Sequence, residues 1–167
     1  MTTVERADMD DLDAVVECWV DLAAGQRDHD SHLLANANRD AVREAAARHV
    51  LTDGLLVARE DANDDADDSD AAIVGFVMFG PQSDGYERDV TRGFVRNVYV
   101  RPAYRGRGIG SALLDAAERR MAEAGVDVVA LEVMADNEAA RRLYRRAGYR
   151  PHRLELEKPL ESDTHTN

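Results

Sequence analysis

The spacing of apolar residues changes repeatedly along the chain, and each change predicts a new element. Residues 3–6 read as a short first strand. Beyond Asp8 or Asp10, either of which can cap a helix, Leu12, Val15, Val16, Trp19 and Ala23 recur at steps of three and four, the signature of one buried helix face. A second helix is predicted over 38–51, with Val42, Ala46, His49 and Val50 on one side and Asp53-Gly54 as its stop. Strands follow at 55–59 and at 73–79; the latter is nearly continuous in apolar residues, as for a strand covered on both faces. The pattern then predicts a strand over 94–100 and a helix starting near Ser111 and running to Ala124, with Leu113, Leu114, Ala117 and Met121 inward and Gly125 ending it. A strand over 126–134, a helix from Asp136 or Asn137 to Gly148 and a last strand over 153–160 complete the series. Strands alternating with helices imply an α/β fold around a central sheet. One domain over 1–160 is expected, with a polar tail at 161–167.

One segment breaks the pattern. Residues 60–70 (EDANDDADDSD) hold seven acids and no apolar side chain larger than alanine, which suits a solvated hairpin loop. A calcium loop is a poorer reading, because the central glycine and terminal glutamate of that motif are missing.

Composition narrows the setting. The chain has 167 residues, enough for one core, and no run of 18 apolar residues, so no membrane association is expected. The N-terminus has neither the basic region nor the apolar core of a signal peptide, and a cytoplasmic protein is expected. The single cysteine, Cys18, lies on the apolar face of the first helix beside Trp19 and reads as a small buried hydrophobe. Acids outnumber bases 33 to 21, which argues against nucleic-acid binding. Aspartate exceeds glutamate 21 to 12, and 20 of the 21 bases are arginine. Short carboxylates in such numbers suit a surface kept hydrated in concentrated salt, whereas an arginine-biased genome alone would explain only the missing lysine. The net charge is −15 over residues 1–87 but +3 over 88–167, so the second half is the one able to accept an anion.

That half contains Arg105-Gly106-Arg107-Gly108-Ile109-Gly110 between a strand and a helix. Glycines at alternate positions bare the backbone, and the helix start behind them supplies unpaired N–H groups and a partial positive charge, which together suit a pyrophosphate. The spacing does not match a dinucleotide-binding G-x-G-x-x-G, since the last position is Ser111. With Lys158 as the only lysine, no Walker loop exists either.

What stands at 105–110 is Arg-x-x-Gly-x-Gly, followed by Asn137-Glu138-Ala139-Ala140, Leu143-Tyr144 and Ala147-Gly148-Tyr149. In these motifs residues 72–160 resemble the GCN5-related N-acetyltransferases (GNAT), with closest motif similarity to the type that acetylates the N-terminal alanine of ribosomal proteins. Residues 1–70 agree with the family in element order alone. The resemblance implies a mixed sheet splayed in the middle, flanked by about four helices, with acetyl-CoA as co-substrate and no metal. It places the pyrophosphate on residues Arg105, Gly106, Arg107, Gly108, Ile109, Gly110 and Ser111, and the pantetheine arm along Val98, Tyr99 and Val100 and against Asn137. A strand bulge would aim one N–H at the thioester oxygen. Tyr144, seven residues after Asn137 and so on the same helix face, is implied as the acid that protonates the departing thiolate. Glu132, twelve residues before Tyr144, is either the base or a structural acceptor in the sheet, with Glu87 as a fallback. His29 and His32 have metal-like spacing without a third ligand, and a solvated or substrate-rim role fits them better; His152 carries no assignment. The implied acceptor is an amine, either a peptide N-terminus or a small molecule. Many family members have two final strands walling the acceptor site, but this chain has room for one. The wall is therefore open or completed by a second subunit, as in a homodimer. A coenzyme A sensor without turnover is the reading from another class.

Overall fold

The computed structural model describes residues 1–61 and 72–160. In chain order it contains β1 (Thr2–Arg6), α1 (Leu12–Gln26), α2 (Arg39–Leu51), β2 (Leu55–Glu60), β3 (Ile73–Pro81), β4 (Arg92–Val100), α3 (Ile109–Glu123), β5 (Val128–Leu131) and α4 (Glu138–Arg146). The five strands form one mixed sheet in sequential order, antiparallel from β1 to β4 and parallel between β4 and β5. The parallel step is made possible by α3, the crossover helix that lies between those two strands in the chain.

Alternation along the strands divides the interior into two layers. Leu55 and Val57 of β2 pack with Phe76 and Met78 of β3 against Val15, Cys18 and Trp19 of α1 and Ala46 of α2. Leu56 and Ala58 point the other way, joining Val77 and Val95 against Ile109, Leu113, Leu114, Ala117 and Met121 of α3. The helix faces expected from the three-and-four spacing are the buried ones, and Cys18 is fully enclosed. A capping box precedes α1: the Asp8 side chain accepts from the Asp10 N–H, and the Asp11 carboxylate accepts from the Asp8 N–H at 2.9 Å. Asp11 is buried, and its other oxygen accepts from Arg59 Nη2 at 2.6 Å, tying the start of α1 to β2.

Two bulges shape the sheet. One lies between β2 and β3, where Ala58 faces Gly75 but Arg59 faces Ile73. The second matters more for the site. Met78 faces Asn97 and Phe79 faces Val95, leaving Arg96 of β4 without a counterpart. A bulge raises the local twist and re-aims its strand. The β4–β5 pairing runs from Arg92–Val128 to Val95–Leu131 and ends at this bulge. Beyond it, Asn97–Val100 keeps β3 on one side and, among the described residues, has no strand on the other, the splayed sheet that the resemblance implies.

Several expectations need correction. The strand predicted over 126–134 is only Val128–Leu131, because its ladder stops where β4 turns away. Helix α3 starts at Ile109, two residues before Ser111. Residues 153–160 are not a strand; no described strand pairs with them, and Leu154, Leu156 and Leu160 are 80%, 89% and 89% exposed. Their alternation is that of a strand, but a ladder needs a neighbouring edge, and none meets them. The acidic loop at 60–70 and the tail at 161–167 lie, apart from Glu60 and Asp61, outside the described residues.

Candidate active site

The loop between β4 and α3 takes its shape from two glycines. Gly106 has φ +77° and Gly108 φ +80°, the left-handed region that side chains disfavour. A Cβ built on either would meet no protein atom within 4 Å, so the loop is open above both. Gly110 serves another purpose. Its Cβ would lie 3.4 Å from Leu143 Cδ2 and 3.7 Å from Val100 Cγ2, so its smallness lets α3 approach α4 and β4. Gly108 is the N-cap of α3 and provides no side-chain cap, and the first turn of the helix carries no acid. Among the described residues no loop carbonyl or side chain accepts from the N–H groups of residues 106–111. Six adjacent amides without partners at a helix start form a concave field of positive potential. Arg107, Gly108, Ile109 and Ala112 line a depression of about 210 Å³ here, with Thr2 and Val4 of β1 on its far side.

The two loop arginines are partly committed. Arg105 Nε donates to the Val100 carbonyl at 2.9 Å, and its guanidinium lies 5.5 Å from the centre of the Tyr99 ring. Arg107 sits 5.2 Å from the Tyr104 ring centre and 4.0 Å from Glu60, with half of its side chain in solvent. Ile109 contributes its amide only, since its side chain is buried beneath α3. Ser111 is exposed in the first turn.

Next to the loop lies the free edge of β4. The Arg101 N–H donates to the Val74 carbonyl at 2.8 Å, so by strand alternation Tyr99 also presents its backbone to β3. Val98 and Val100 present theirs to the open side, where the Val100 carbonyl is already held by Arg105. The Val98 N–H and C=O and the Val100 N–H therefore make up the free edge. Tyr99 was expected among the edge residues. It belongs to the core instead, its ring 6.5 Å from that of Phe76 and its backbone on the β3 side.

Across the gap stands α4. Asn137 caps it, the side-chain oxygen accepting from the Ala140 N–H at 3.2 Å, which leaves the amide NH₂ free to donate. Tyr144 is half-buried, and burial pushes its pKa up to about 12, so the hydroxyl keeps its proton through the neutral range. No described residue hydrogen-bonds that hydroxyl. The support behind it has no counterpart among the site residues singled out from the sequence. Tyr149 packs edge-on to Tyr144 with ring centres 6.1 Å apart, and its own hydroxyl donates to Glu118 of α3 at 2.7 Å. Gly148 at φ +96° turns the chain so that the Tyr149 N–H meets the Tyr144 carbonyl at 3.0 Å. The Gly148-Tyr149 pair after the helix was the available signal for this arrangement.

Glu132 follows β5 immediately, is exposed and has no described hydrogen-bond partner. Glu87 lies exposed in the β3–β4 turn. The histidines of the α1–α2 connection do have partners: His29 Nδ1 is 2.9 Å from Asp136, just before α4, and His32 Nε2 is 2.8 Å from Glu157. These pairs fasten that connection to the chain on either side of α4. No group of three potential metal ligands occurs among the described residues, nor is any described helix long and apolar enough to cross a membrane.

A sheet splayed beside a bulge, with a bare-backbone loop at a helix mouth and a tyrosine opposite, is the arrangement of an acyl-carrier-binding transferase. The chain belongs to the acetyltransferase (GNAT) family, whose model matches residues 17–149. Over 96 residues it is 38% identical to mycothiol acetyltransferase of Propionibacterium freudenreichii subsp. shermanii, a match covering 58% of this chain and 27% of that protein. The chain thus spans only about a quarter of that relative's length. Among solved structures, a GCN5-related N-acetyltransferase from Ralstonia eutropha JMP134 superposes with a TM-score of 0.70 at 24% identity, over 96% of this chain and 99% of that one. The NatC complex bound to Gag peptide and CoA matches with a TM-score of 0.69 at 17% identity, over 91% of this chain and 86% of that one. At these identities the two structures establish the fold.

Proposed function

We propose that this protein is an acetyl-CoA-dependent N-acetyltransferase that moves the acetyl group to a primary amine within a ternary complex. One observation carries the reading: six amides at residues 106–111 without a described partner lie in the loop that directly follows β4, whose edge past the Arg96 bulge pairs with no described strand. Acetyl-CoA supplies a thioester-activated acetyl group, and its CoA portion is the ligand named with the NatC neighbour.

Each residue then has a defined task. The amides of Gly106–Ser111 bind the pyrophosphate, and Arg105 and Arg107 add charge at its rim. Val98 and Val100 hold the pantetheine arm as an added strand, with the Asn137 amide donating to it from α4. The bulge at Arg96 turns an N–H toward the thioester oxygen, where it stabilises developing negative charge. Glu132, directly or through water, takes the proton from the acceptor ammonium. Tyr144 gives its proton to the sulfur as the thiolate leaves; its raised pKa keeps that proton available at neutral pH. Tyr149, anchored on Glu118, fixes the position of the Tyr144 ring. The acceptor is a peptide N-terminus, a reading supported by the peptide bound to the NatC neighbour, or a small-molecule amine. The aspartate-rich composition supports work in concentrated salt, where the Debye length shrinks to about 3 Å and direct backbone contacts outweigh distant arginines.

The test is free-thiol release from acetyl-CoA across a panel of peptides and small amines, at low and molar salt. Amine-dependent release supports the reading, and Tyr144→Phe should lower turnover about 10²-fold with little change in CoA affinity. Binding of acetyl-CoA without amine-dependent release would leave a sensor in place of an enzyme.

A further inference from the structure

The C-terminal segment exposes three leucines, Leu154, Leu156 and Leu160, and acetyl transfer gives it no role. Residues 151–160 lie in no described helix or strand, and all are exposed. Leu154 and Leu156 are 80% and 89% exposed. Among the described residues one side-chain contact holds the segment, between His32 and the Glu157 carboxylate at 2.8 Å. An exposed segment with the alternation of a strand and no paired neighbour invites pairing with another chain.

The sequence of the segment indicates which chain. Pro151-His152-Arg153-Leu154-Glu155-Leu156-Glu157-Lys158-Pro159 has nearly the same pattern in both directions about Glu155. If two copies meet antiparallel across a two-fold axis through Glu155, Leu154 of each faces Leu156 of the other. Arg153 faces Glu157, and Pro151 faces Pro159. One side of the ribbon then gathers four leucines, and the other sets Arg153 opposite Glu157 twice, on either side of one facing Glu155 pair. The prolines fit as well. When Leu154–Leu156 and His152–Lys158 are the hydrogen-bonded pairs, both prolines fall at positions where no N–H is required, so none is missed. A two-fold contact demands a self-complementary patch, which this segment is.

We propose that residues 152–158 pair with the same residues of a second copy, in this register, and that the protein is a two-fold dimer through this ribbon. The His32–Glu157 contact sets the ribbon beside the α1–α2 connection. The proposal is independent of the acetyl-transfer reading, and its test needs no substrate.

Sedimentation velocity of the full chain over a micromolar concentration series should show a species of twice the 18.5 kDa chain mass. Leu154→Asp with Leu156→Asp should weaken dimerisation about 100-fold or more. Both side chains are exposed, so the far-UV spectrum and melting temperature of the monomer should not change. Arg153→Glu and Glu157→Arg should each weaken the dimer, and combining them should restore it, because the swap recreates the facing pair. Glu155→Cys should yield a disulfide-linked dimer on mild oxidation, since residue 155 faces itself and Cys18 is buried. A monomer at every concentration, a dimer indifferent to the leucine changes, or a charge swap without rescue would each overturn the proposal.

Discussion

Replacing Gly108 with valine tests the amide cradle and can be compared with a matched control. Gly108 sits at φ +80°, where an L side chain costs about 1–2 kcal/mol of backbone strain. The new Cβ meets no protein atom within 4 Å, so no packing penalty is added. For a chain of this size the strain translates into a fall in melting temperature of about 2–8 °C. The ligand would lose more. A side chain in the loop opening blocks approach to the amides; losing two hydrogen bonds to a charged phosphate, at about 1.5–3 kcal/mol each, weakens binding by roughly 10²- to 10⁴-fold. Gly125 is the control. It has φ +91°, equally empty space about its Cβ, and lies at the opposite end of α3, about 25 Å away by helix rise. Gly125→Val should lose similar stability and no affinity. Calorimetric titration of CoA into both variants, with thermal melts alongside, separates the two effects. A Gly108→Val protein that binds CoA within threefold of wild type would refute the cradle.

Three further outcomes are expected. Tyr144 has a folded pKa of about 12 against an ordinary value of 10, so its stabilising contribution is fully present below pH 10 and is lost as pH rises toward 12. The two-unit gap corresponds to about 3 kcal/mol, and Tyr144→Phe should flatten that limb of a melting-temperature profile; an unchanged limb would show the ring is not buried as described. Asp11→Ala should destabilise by about 1–3 kcal/mol, since it removes the partner of Arg59 and half of the capping box; a chemical denaturation midpoint within error of wild type would contradict this. Melting temperature should rise from dilute buffer to molar salt if the excess of acids, 33 to 21, marks a salt-adapted surface; a flat response would refute salt adaptation.

Where the sequence was informative, the physics was local. The buried faces of α1 and α3 follow from spacing alone, and the pocket loop follows from glycines whose positive φ no other residue tolerates cheaply. What escaped depends on long-range geometry. The Arg96 bulge arises from the register between β3 and β4, and no feature of Val95-Arg96-Asn97 announces it. The same bulge shortened β5 and inverted the parity that places Tyr99 in the core. Residues 153–160 have the alternation of a strand and lack only a partner, which a pattern in one chain cannot supply. His29 and Asp136, 107 positions apart, meet because the fold brings the segment after α1 to the one before α4, and isolated histidines give no hint of that.

The brevity of the β4–β5 ladder has a mechanical consequence. Four register pairs are all the sheet pairing that connects β5, and through it Glu132, Asn137 and Tyr144, to the strands carrying the loop. A ligand lying in the cleft touches both limbs at once and so acts as the missing stretch of ladder, a wedge that also fastens. Amide hydrogen exchange in Val128–Leu131 should accordingly slow when CoA is bound, beyond any change in the already well-paired β3.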